Sequence, residues 1–155
     1  MKRNLTYSAM DVLLASPDTP TPADKRTHQL TRMWNGLHNL ETAENPTEDD
    51  WMVCSDAINL METLIKMGLV EDNGGLIEDA IKALSDAAHR TTQGKPMRLS
   101  GQGIQAVRAV LEDYAAVLEV VPHRQMIMAH RATETTLQKI IKGAVDPIHA
   151  RLYSC

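Results

Sequence analysis

The segment 45–68, NPTEDDWMVCSDAINLMETLIKMG, constrains the fold more than any other part of the chain. Thr47 stands at the expected N-cap of a helix, and Glu48, Asp49 and Asp50 bring negative charge to its first turn, where the helix dipole favours it. Gly68 stands where the helix should stop. Between these marks Trp51, Cys54, Ile58, Met61 and Ile65 form one apolar stripe. Beside it run Val53, Ala57, Leu60, Leu64 and Met67, and the remaining sector is polar. A stripe this wide needs neighbours on two sides, so the segment reads as the central helix of an all-α protein.

Its neighbours carry similar punctuation. Thr21 reads as an N-cap, with Pro22 at the first helical position and Asp24 in the first turn, ahead of Leu30, Met33, Trp34, Leu37 and Leu40 at helical spacing. The turn DNGG (72–75) leads into a helix from Leu76 to about His89, with Ile77, Ala80, Ile81, Leu84 and Ala88 inward. Ser100 reads as the cap of the next, whose stripe is Ile104, Val107, Leu111, Tyr114, Leu118 and Val121. Pro122 then breaks the pattern, which resumes one residue out of phase at Met126, His130, Thr133, Leu137, Ile140 and Ile141. A kink and a fresh helix both explain that shift. Gly143 ends the run, and a small amphipathic helix is expected around Ser8 to Ala15. No segment alternates with period two. The expected architecture is a single-domain antiparallel bundle of five to six helices spanning residues 1–155. It has a short N-terminal helix and Pro-rich lead-in (1–20), the bundle proper (21–143) and a tail (144–155).

The core recipe is unusual, with no Phe, two Trp and nine Met. Methionine fills irregular gaps between helices and also suits adaptable binding surfaces, so Met-rich stripes leave homo-oligomer formation open. No apolar run approaches the ~20 residues of a membrane span. In MKRNLTYSAMDVLLASPD, Asp11 interrupts the apolar stretch and leaves only Val12 to Ala15, too short for an export signal. Cys54 and Cys155 make no disulfide framework and match no metal spacing. The corresponding expectation is a reduced, cytoplasmic protein without a membrane partner.

Chemistry has one obvious candidate stretch, HRQMIMAHR (123–131). On a helix His130 and Glu134 share a face and His123 lies two turns back, a set that suits Zn²⁺ or Fe²⁺. The Glu-x-x-His pairs of di-iron bundles and the His-Glu-x-x-His of zinc proteases are absent from the sequence. The competing reading packs His130 in the stripe and sends Arg124 and Arg131 to solvent. GQGIQA (101–106) has the spacing of a dinucleotide fingerprint but lacks the preceding buried strand that the motif needs. No Gly-x-Ser-x-Gly elbow occurs. The expectation is a protein without a cofactor, and not an enzyme.

Charge is distributed unevenly. Residues 41–86 hold twelve acidic and two basic groups, whereas residues 87–155 hold nine basic and five acidic ones. Helix-dipole preferences explain part of this. The acidic region as a whole, with Glu48, Asp49, Asp50, Glu71, Asp72, Glu78 and Asp79 as the contact residues, is expected to offer a surface to a basic protein partner. Glu41, Glu44, Asp56, Glu62 and Asp86 add to the acidic segment. The alternative is nucleic-acid binding by the last helix through Arg124, Arg131, Lys139 and Lys142, without aromatic residues to stack on bases.

Two regions carry a resemblance: YSAMDVLLASPDTPTP with LTRMWNGLHNLETAENPTEDDWMVCSDAINLMETLI, and GIQAVRAVLEDYAAVLEVVPHRQMIMAHRATE. They cover more than half the chain and resemble short proteins carried on phages, plasmids and integrated elements of proteobacteria, a group without an assigned activity. The resemblance implies an accessory protein of a mobile element in a bacterial cytoplasm. The function expected on these grounds is a non-enzymatic interaction module, an inhibitor or regulator that engages a basic partner. A metal-dependent enzyme or sensor and a nucleic-acid-binding accessory protein are the alternatives.

Overall fold

The computed structural model describes residues 5–72, 74–99 and 101–141. Six helices follow in order: α1 (Ala9–Leu14), α2 (Ala23–Thr42), α3 (Glu48–Lys66), α4 (Leu76–Thr92), α5 (Gly101–Val120) and α6 (His123–Ile141). The fold is all-α, a helical bundle as the spacing predicts. Expectations placed on Ser100, Gly143 and the tail 144–155 lie outside the described residues.

Helix α3 begins and ends as its sequence requires. Thr47 accepts from the Asp50 amide and the Asp50 carboxylate accepts from the Thr47 amide, a closed capping box. At the other end Gly68 adopts φ +76°, its amide donating to Ile65 O while the Leu69 amide donates to Leu64 O. That pair of bonds is a Schellman motif, which needs the left-handed conformation that glycine adopts without strain.

The bundle is arranged around α3, which packs on α2, α4, α5 and α6. Leu40, Ile58, Leu64, Ile81, Leu84 and Leu111 are fully enclosed at the centre, and the Trp51 indole N–H donates to Leu84 O across 2.8 Å. Two close approaches hold the helix pairs together. Gly36 of α2 faces Val53 and Asp50 of α3, and Gly103 of α5 faces Ala83 of α4. The second is the structural role of GQGIQA: no strand precedes it, and its central glycine lets α5 seat on α4.

Pro122 separates two helices. After Val120 the chain turns within two residues, and α6 lies against α3 and α1, outside the strongest contacts of α5. The predicted N-cap of α2 is corrected by one residue. Pro22 occupies that position without a side-chain cap, while buried Thr21 directs its hydroxyl to His123 Nδ1 at 3.0 Å. The cause is tertiary, since a cap hydroxyl competes with any better-placed partner.

Candidate ligand-binding cleft

HRQMIMAHR is a clamp for the N-terminal segment. The Arg124 guanidinium donates to the carbonyls of Val12 (3.0 Å), Leu13 (2.9 Å) and Ala15 (3.2 Å), closing the C-terminal end of α1. Those carbonyls have no partner within the helix, so a cation there satisfies both hydrogen bonding and the dipole. In return the first amides of α6 find acceptors in the same segment, His123 N on Thr19 O (2.8 Å) and Arg124 N on Ser16 O (3.0 Å). Two turns on, Arg131 donates to Tyr7 O and Glu134 accepts from the Thr6 amide at 2.9 Å. The expectation that both arginines reach solvent is therefore overturned: the seven-residue spacing stacks them on one face of α6, and that face holds residues 6–15.

The strap so fixed closes one end of a cleft of 620 Å³. Helices α2 and α6 flank α3 without packing strongly on each other, and the cleft lies in the gap between them. Exposed Met52 and half-buried Val53 form its apolar floor, with buried Ala57 and Leu60 of α3 and Met33 of α2 behind them and Leu137 of α6 beside. The polar rim comprises Arg32 of α2, Asp56 of α3, His130, Thr133 and Glu134 of α6, and Tyr7 of the strap. The Thr133 hydroxyl meets that of Thr63 at 2.6 Å and ties α6 to α3.

The rim groups are electrostatically unsettled. Asp56 opens to solvent, yet the walls around it remove enough water to raise its carboxyl pKa above the usual value, with Glu134 adding to the rise and Arg32 opposing it. Burial lowers the pKa of His130, only partly offset by Glu134, so the imidazole is neutral at pH 7. The Tyr7 ring meets that of His130 at 5.4 Å and 57°, a tilted contact, and burial raises its phenol pKa. Gln29 also lines the cleft, with its Oε1 enclosed away from solvent and without a hydrogen-bond partner.

Placement of the predicted sites divides them. His130 and Glu134 line the cleft, while His123 lies by a smaller cavity and bonds Thr21. Among the described residues no three His, Cys, Asp or Glu side chains are grouped to hold a metal ion, so the proposed trio of His123, His130 and Glu134 is not assembled. Of the basic set for nucleic acid, Arg124 and Arg131 are engaged with main-chain carbonyls, Lys139 is exposed, and Lys142 lies outside the described residues. Cys54 is buried and its thiol pKa is pushed up to about 12, so it is no nucleophile.

The acidic set is split by the length of α3. Glu48 and Asp49 are exposed in its first turn, and Glu71 and Asp72 are exposed beyond its last. With ~1.5 Å rise per residue those ends stand roughly 27 Å apart. Glu78 and Asp79 are exposed at the start of α4. Asp50 is not a surface group of this kind. It closes the capping box and accepts from Asn39 Nδ2 at 3.0 Å. Glu41 pairs with Arg108 at 2.7 Å, and Glu62 pairs with Lys66 at 3.2 Å. Sequence reasoning missed Tyr7, Arg32 and Asp56 as parts of one site. Only the polar sector of α3, interrupted by apolar Ala57 and Leu60, hinted that this face is partly covered.

No helix among the described residues is long and apolar enough to cross a membrane. Comparison with known protein families, with curated proteins and with solved structures gives no match to this chain.

Proposed function

We propose that the chain is a non-enzymatic binding module whose working site is the cleft between α2, α3 and α6, where it takes up a small ligand with an apolar body. The observation carrying this reading is the cleft's composition, a 620 Å³ space with an apolar floor and a few polar groups at its edge. Small-molecule sites share that size and that division of labour. The strap supports it as well: Arg124 and Arg131 hold residues 6–15 in place, so one wall of the cleft is already built before any ligand arrives. The reading assigns the cleft binding and no reaction. On the resemblance described above, the setting proposed is the cytoplasm of a bacterium carrying a mobile element.

Thermal unfolding with a panel of small aromatic and aliphatic compounds tests the reading, because a ligand of the native state alone raises Tm by mass action. A subset of the panel is expected to raise Tm of the wild type and to lose this effect in Met52→Trp. Met52 is an exposed lining residue, so the larger ring fills the cleft with little strain on the core. A panel without stabilising compounds, or one acting equally on both proteins, overturns it.

A second reading retains the acidic groups as a docking surface for a basic protein. It is favoured by the exposure of Glu48, Asp49, Glu71, Asp72, Glu78 and Asp79. Their separation into two groups requires the partner to address one end of α3, not a continuous face.

A further inference from the structure

We infer that the ligand of the cleft is an organic cation, a primary amine carried on an aromatic or aliphatic body. This inference rests on the cleft being a binding site, and it names the chemistry that the rim selects. Two carboxylates line the space, those of Asp56 and Glu134. Glu134 uses one oxygen, Oε2, on the Thr6 amide, and its other oxygen is left to accept from a ligand. Hydrogen bonds to a charged acceptor are the stronger kind, and a ligand that brings donors makes them. An ammonium group brings three donors and no acceptor.

Charge points the same way. Arg32 is the cleft's cationic side chain, set against two carboxylates, while His130 is kept neutral by its burial. The sum inside the cleft is one negative charge, which a monocation cancels. A carboxylate or phosphate ligand would instead face Asp56 and Glu134 with a single guanidinium to receive it. A neutral apolar ligand would cover the floor of Met52 and Val53 but leave the rim acceptors stripped of water. Tyr7 adds an aromatic ring beside the rim, and a ring face attracts an organic cation. Asp56 feels the same pressure: desolvation raises its carboxyl pKa, with Glu134 adding and Arg32 opposing, and an ammonium neighbour would act against that rise.

The test compares three molecules with one body and different heads: 4-phenylbutylamine, 4-phenylbutanol and 4-phenylbutanoate, titrated calorimetrically into the full chain at pH 7.5. The amine is expected to bind about ten-fold more tightly than the alcohol, with the carboxylate weakest, as charge-assisted hydrogen bonds require. Asp56→Asn should remove the amine's advantage over the alcohol. Glu134→Gln should reduce it while its amide oxygen still accepts from Thr6. Equal or tighter binding of the alcohol or carboxylate, or an amine preference that survives Asp56→Asn, overturns the inference. If none of the three binds although the compound panel yields ligands blocked by Met52→Trp, the cation inference fails and the cleft stands as a site. If the panel also fails, both fall.

Discussion

Tyr7 and His130 stand ring to ring, 5.4 Å between centroids and 57° between planes, where the N-terminal strap meets α6. The contact joins residues 123 positions apart, and it depends on the two arginines that hold the strap. Around it the protein has built a wall out of a segment too short to fold alone.

Arg124 is the first place to test that dependence. Helix α1 has only six residues and no buried side chain, and helices that short do not persist in water on their own. Arg124→Ala should cost about 1–3 kcal/mol of stability, the range for hydrogen bonds to a charged group. It should also release residues 6–15, seen as rapid amide exchange there while α3 stays protected. Unchanged exchange in α1 would mean that packing on α6 holds the strap without the guanidinium.

Gly36→Ala tests the approach of α2 to α3. A Cβ there would run into the Val53 side chain and come within 2.9 Å of Asp50 O, which is backbone and cannot step aside. The expected penalty is about 1–3 kcal/mol, measured by urea unfolding, despite alanine's better helix propensity. A neutral or stabilising result would show that the two helices separate readily, and with them one edge of the cleft.

His130 gives the fold a pH dependence of known sign. Its folded-state pKa lies below the ordinary 6.5, through burial and through His123, with Glu134 pulling the other way. As pH falls below 6.5 the unfolded chain takes up the proton first, so stability is full above that value and declines toward the folded-state pKa. His123 shifts in the same direction and contributes its own share. The urea midpoint should therefore drop between pH 7.5 and 5, and His130→Phe, which keeps a ring against Tyr7, should drop less.

The acidic groups separate into structural and surface ones. Asp50→Ala should lower stability by about 0.5–2 kcal/mol, because it opens the capping box and strips Asn39 of its acceptor. Glu48→Lys with Asp49→Lys should unfold near the wild-type midpoint, with at most the few tenths that a reversed helix dipole interaction costs. This pair, with Asp50 left intact, is the appropriate probe for docking of a basic partner on that end of α3.

Much of the fold was legible because it is written in local chemistry. Thr47 with Asp50, Gly68 and Pro122 mark helix ends whatever surrounds them, and the stripe from Ile104 to Val121 is buried as its spacing predicts. Arg124 and Arg131 were misread for the opposite reason. Their partners are main-chain carbonyls of residues 7–15, and a carbonyl leaves no mark in a sequence. The cleft was hidden more deeply. It exists because α2 and α6 both seat on α3 and not on each other, and that choice depends on Gly36 meeting Val53 and Thr133 meeting Thr63. His130 and Glu134 were singled out correctly as neighbours on one face, but as metal ligands; their actual company is Tyr7, Asp56 and Arg32.

The most direct measurement is amide shift mapping by NMR during titration with 4-phenylbutanol, the uncharged member of the series, in wild type and Met52→Trp. The account predicts saturable shifts clustered at the amides of residues 52–60 and 130–138 and at Tyr7, absent from the variant. Shifts scattered over the surface, or the same shifts in both proteins, would contradict the claim that the α2–α3–α6 cleft is the site where this protein binds.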